Sequence, residues 1–127
     1  MSIAPTGIKE VREQGFVATS ARRADTIIVT MSGNADSGVQ EKLKAFLEEL
    51  HNAAKFLAIK EAVFDMHDLY FINSACLSLF LRLLNAVHES RETHAYTFRF
   101  RSNPNLHWQK RRLEALRSYA KELVIVE

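Results

Sequence analysis

A single cysteine, Cys76, is present, so no disulfide can close within the chain. A reducing, cytoplasmic setting is expected from that. Proline is scarce: Pro5 and Pro104 are the only two, beside four glycines. No Pro/Gly-rich linker, repeat or low-complexity block divides the 127 residues, a length that suits one ordinary domain with a real core. Long apolar runs are missing as well. Arg82, Asn85 and His88 break the densest one, which leaves it short of the ~18–20 residues a membrane span needs. MSIAPTGIKEVREQ, at the start, lacks the apolar core of a signal peptide, so direct membrane insertion is not expected. Charge of one sign is lacking too. Seventeen Lys and Arg face fifteen Asp and Glu, a net charge of +2, and no nucleic-acid partner is expected on that balance. What is present, 47% hydrophobic and 25% charged residues, is the composition of a globular protein.

Along the chain, strand-like and helical patterns alternate. Phe16–Ala21 and Thr26–Met31 are β-rich runs joined by Arg22–Asp25, which predicts a hairpin. SGNADSG, 32–38, reads as a loop. Val39, Leu43, Phe46, Leu47 and Leu50 then fall on one helical stripe. Ala62–Met66 is predicted as a short buried strand. Ser74–His88 is predicted as a helix apolar on most sides, with Ser78, Arg82, Asn85 and Glu89 as its polar line. Tyr96–Arg101 alternates aromatic with polar residues, a strand with one buried face. Asn103-Pro104 is a helix-start signal, and the helix is expected from about 104 to 119. Leu123–Val126 is a last strand or an extended tail. The order β-β-α-β-α-β-α, with a possible final β, predicts an α/β domain: a mixed sheet with helices packed on it.

Two stretches carry a resemblance to a known family. IIVTMSGNAD, 27–36, resembles the strand and the Ser/Thr-Gly-Glu-x-Asp loop of STAS domains, named for sulphate transporters and anti-sigma-factor antagonists. VFDMHDLYFINSACLSLFLRLL, 63–84, resembles that family's acid, hydrophobic loop and Ile-Asp-Ser-Ser/Thr-Gly-Leu, followed by an apolar helix. The resemblance implies a single STAS-like domain over 15–127, with 1–14 as an N-terminal extension that could be flexible. It also implies a noncatalytic regulator working by protein–protein binding, as an anti-sigma-factor antagonist or signalling scaffold. Its partner would be a kinase-like anti-sigma factor, which phosphorylates a hydroxyl at the start of the second helix. The alternative the family offers is an accessory subunit of a membrane lipid-transport complex. No cofactor, metal or catalytic residue is implied.

Carried over by position, the family's loop acid falls on Asp36 and its helix-start motif on Asn73, Ser74, Ala75 and Cys76. These five are the expected partner-binding residues. The usual phosphoacceptor position holds Ala75, which has no hydroxyl, and the usual turn glycine is Cys76. Ser74 is therefore the candidate phosphorylation site. The plainer readings stand beside these: Ser74 or Asn73 capping the helix, Asp36 capping the helix before it, and Cys76 as a small core residue. The family's strand acid falls on Asp65, and its grouping with His67 and Asp68 reads as a wet loop after a strand in preference to a metal cluster.

LHWQKRRLEALRSY, 106–119, places Leu106, Leu113, Leu116 and Ala120 on a core stripe. Trp108 and Arg112 lie one turn apart on a neighbouring stripe. They read as a brace for a solvated basic helix or as an interface, since Trp and Arg are favoured anchors there; nucleic-acid binding is the weaker third reading, with a low net charge and no recognised motif against it. Self-association through this helix is the form such an interface could take.

Overall fold

The computed structural model describes residues 3–127. Three strands come first: β1 (Val11–Glu13), β2 (Phe16–Arg23) and β3 (Thr26–Ala35). Helix α1 (Gln40–Phe56), strand β4 (Glu61–Ile72), helix α2 (Ser74–Glu89), strand β5 (Thr97–Arg101), helix α3 (His107–Tyr119) and strand β6 (Val124–Val126) follow. The strands form one six-stranded sheet in the order β1-β2-β3-β4-β5-β6. β1, β2 and β3 pair antiparallel, and β3 through β6 pair parallel. The mixed sheet expected from the sequence is therefore present, and its final strand forms.

Every parallel neighbour is reached through a helix, and the alternation of each strand decides where the helices lie. Ile27 and Val29 of β3 stand beside Ala62 and Phe64 of β4, and these beside Phe98 and Phe100 of β5. All six are buried in the main core cluster with Leu43, Leu50, Phe80, Leu84, Leu113 and Leu116 of the helices. Phe64 stacks on Phe98 and Phe100 at ring-centroid distances of 5.8 and 5.2 Å, and Phe80 of α2 meets it edge-on at 5.4 Å. The opposite sheet face holds Ile28, Val63 and Arg99, side by side across β3, β4 and β5, with Arg99 paired to Glu61 and Glu127.

The segment expected as an extension joins the sheet. Val11 is buried and pairs with Ala18, and Ala4 exchanges both backbone hydrogen bonds with Arg22 at 2.8 Å. A strand of three residues is too short to show period two, which is why sequence pattern misses it. Met1 and Ser2, also part of that expected extension, lie outside the described residues.

β4 also departs from expectation. It runs past Met66 as far as Ile72, so His67 and Asp68 belong to the same strand as Asp65 and not to a loop after it. Its register against β3 slips twice, between Thr30 and Ser32 and between Gly33 and Asn34. Each slip inserts an extra residue, a β-bulge, into β4. The core-cluster residues Ala62, Phe64, Met66, Leu69 and Ile72 step by two and then by three, and each three-residue step spans a bulge. Strict alternation is lost, so the run does not read as a strand. β3 likewise extends through Ala35 into the expected loop.

α3 starts at His107, one turn later than the Asn103-Pro104 signal indicates. Asn103 is occupied elsewhere. Its side-chain oxygen accepts from Asn105 N at 2.9 Å, and its amide donates to His67 O at 2.9 Å. Gln109, 1% exposed, donates to both Met66 O (2.6 Å) and Leu69 O (2.8 Å) and accepts from Asn103 N at 2.7 Å. β5 pairs only as far as Asp65. Beyond that point these two side chains replace a neighbouring strand and satisfy the carbonyls that the bulged stretch would otherwise bury unpaired.

Candidate functional site: the end of β3 and β4 and the start of α2

The last residues of β3 and β4 are paired, Asn34 with Phe71 and Ala35 with Ile72. Asn73 N donates to Ala35 O at 2.9 Å, which ties the start of α2 to the end of β3. The two sequence stretches that carry the resemblance thus meet at one end of the sheet. Asn73 is the N-cap of α2. Its side-chain oxygen accepts from Cys76 N at 2.8 Å, in the extended conformation a capping residue needs. With the cap assigned to Asn73, the hydroxyl of Ser74 has no capping role. Ser74 and Ala75 are exposed. The first turn of α2 holds no acidic residue, so the partial positive charge of the helix start is not offset there by a side chain.

Asp36 follows Ala35 and is exposed. Its carboxylate accepts from Gly38 N at 2.9 Å, and its carbonyl accepts from Val39 N at 3.1 Å. It shapes the turn ahead of α1 and does not cap that helix, whose N-cap is Val39, without a side-chain bond. Asp36 forms no ion pair among the described residues.

Cys76 must be separated from its neighbours. It is fully buried, and its thiol donates to Asp36 O at 3.5 Å. Its side chain is part of the core and presents nothing to a partner, contrary to the expectation of direct contact. Burial, and then the charge of Asp36, pushes the thiol pKa up, so the protonated, unreactive form is favoured.

Two residues that the sequence reading passed over stand at this site. Tyr70 and Phe71, consecutive in β4, are 57% and 47% exposed. In a regular strand one of two adjacent residues would face the core. Here the second bulge puts both outside, between buried Leu69 and buried Ile72. Only the doubled aromatic in DLYFIN hints at this, because the bulge itself leaves no sequence signal. Asn34, opposite Phe71, is exposed as well.

The remaining candidates lie elsewhere. Asp65 Oδ1 accepts from His67 N at 3.0 Å, and His67 Nδ1 lies 3.1 Å from Asp68 Oδ1. Trp108 and Arg112 are half-buried. They line an apolar cavity of ≈ 10 Å³ with Leu69, Ile72, Leu77 and Phe80, among others. Trp108 packs against the core, and its buried indole N–H has no hydrogen-bond partner among the described residues.

No family model matches the chain, and no curated protein does. Solved structures do. The Bacillus cell fate determinant SpoIIAA in its phosphorylated form overlays with a TM-score of 0.54 at 14% identity, covering 87% of this chain and 90% of that one. The anti-sigma factor antagonist SpoIIAA in its unphosphorylated form gives a TM-score of 0.49 at 14% identity, over 87% of each chain. The first of these overlays shows that this chain has the STAS fold of SpoIIAA, as the two sequence stretches led one to expect.

Proposed function

We propose that this chain is a noncatalytic regulatory protein that binds another protein through the surface formed by Asp36, Tyr70, Phe71, Ser74 and Ala75. The observation that carries this reading is the exposed aromatic pair at the end of β4. Large aromatic side chains are the commonest anchors of protein interfaces. Here two of them are exposed just before Ile72, whose strand partner Ala35 precedes Asp36, and the exposed helix start follows at Ser74. Such a surface fits a partner that offers an apolar pocket beside a basic side chain. SpoIIAA, whose fold this chain shares, is an anti-sigma factor antagonist solved in both a phosphorylated and an unphosphorylated form. That precedent supports a regulator of the same kind, with a kinase-like anti-sigma factor as the partner. Ala75 cannot accept phosphate, so regulation by modification falls to Ser74, whose hydroxyl is free of the cap.

The test is a tagged pull-down from the source cell with mass spectrometry, repeated with a Tyr70→Ser/Phe71→Ser variant. The wild type should retain a specific protein partner, and the folded variant should lose it. Equal capture by both would overturn this surface as the binding site. Phosphate mapped to Ser74 in the same sample would establish the modification, and an unmodified Ser74 in the bound pool would restrict the role to binding.

A further inference from the structure

The α1–α2 side of the molecule, away from the end of the sheet described above, carries a groove of ≈ 350 Å³ between the two helices. That volume lies in the range of small-molecule sites. Its floor is leucine. Leu47 of α1 and Leu79 and Leu83 of α2 keep 3%, 6% and 5% of their surface open, while Leu43, Leu50 and Leu84 on the same helices keep none. Among the core residues of these two helices, the residual exposure is therefore concentrated where the groove lies.

Both walls supply a cation. Lys44 comes from α1 and Arg82 from α2, and neither forms an ion pair among the described residues. Glu48 is the only acid in the lining, so the formal charge of the groove is positive. His51 is fixed from behind, with Nδ1 2.9 Å from the hydroxyl of Tyr96, a side chain only 1% exposed. His51 itself lines the groove, so its other ring nitrogen can serve a ligand there. Burial, then Lys55 and His94, lowers the pKa of His51, so at neutral pH it adds a hydrogen bond and no charge.

We infer that this groove binds a free, single-chain anionic amphiphile, with its alkyl chain on the leucines and its carboxylate between Lys44 and Arg82. The groove extends from 44 to 52 along α1, about 12 Å at the helical rise, which limits the chain to medium length. A neutral lipid would leave both cations unmatched, and a cationic one would meet them with like charge.

Decanoate, used below its micellar concentration with the full chain, is the probe. Titration calorimetry should show saturable binding, and nuclear magnetic resonance shifts should centre on Leu47, Leu79 and Leu83. Decanol should bind on the order of tenfold more weakly, and Lys44→Glu/Arg82→Glu should weaken decanoate by a similar factor. Ala86→Phe, which fills the groove from an only half-buried position, should abolish binding while the fold persists by circular dichroism. No saturable binding by the wild type, or equal affinity for decanol and decanoate, would overturn the inference. An acidic amphipathic Leu/Glu peptide that binds this groove more tightly than decanoate would overturn it in favour of a protein helix. The Tyr70→Ser/Phe71→Ser variant should bind decanoate as the wild type does, so this site and the protein-binding surface stand or fall separately.

Discussion

Asn73 shows how much one side chain can settle. The family pattern has aspartate there; this chain has an amide that still caps α2. Asn73→Ala removes the bond to Cys76 N, and urea denaturation should show a loss of about 1 kcal/mol. Asn73→Asp keeps the bond and adds a negative charge at a helix start, so a gain of about 0.3–1 kcal/mol is expected. Gln109 matters more. Replacing it by Leu keeps the burial but strands Met66 O and Leu69 O without their donor. A loss of about 2–4 kcal/mol is expected, since each buried unsatisfied group costs about 1–3 kcal/mol. A change below about 0.5 kcal/mol on the same denaturation curves would mean that water reaches those carbonyls and that the clamp is dispensable.

Helix α3, at the scale of elements, packs Leu113 and Leu116 into the core. Trp108 packs on the core from its edge, so Trp108→Ala should lower stability by about 2–4 kcal/mol, somewhat under the range for fully buried aromatics. Trp108→Phe should cost much less, because the indole N–H it removes has no partner among the described residues; a thermal melt of the two variants side by side measures the difference. The elements legible in the sequence were the long periodic ones. The stripe through Leu43, Phe46, Leu47 and Leu50, the apolar run of α2 and the alternation Tyr96-Phe98-Phe100 each repeat often enough to fix a type. β1 was lost because three residues show no period, and the far half of β4 because two bulges shift its phase. At the candidate site, the positions of Asp36, Asn73, Ser74 and Ala75 were picked out by the resemblance. Tyr70 and Phe71 were not, because their exposure follows from the bulges, and the buried role of Gln109 is disguised by its place in a basic helix.

Taken whole, the molecule should be sensitive to acid through His51. Its pKa lies below the ordinary 6.5 because burial, then Lys55 and His94, disfavours the cation. The unfolded chain therefore takes up the proton first as the pH falls. Stability from this group is complete above the unfolded value and is lost as the pH drops through that value toward the folded one. The melting temperature should decline from about pH 7 to about pH 5, and His51→Gln should flatten part of that decline; an unchanged slope in the variant would remove His51 as its source. The order of the sheet has a different kind of consequence. Strands β1 to β6 lie side by side in the order in which the chain is written, so no strand waits for a later one to be inserted between it and the strand before it. Each strand that leaves the ribosome finds its one earlier neighbour already made, and assembly can keep pace with synthesis from the first hairpin to the last three-residue edge.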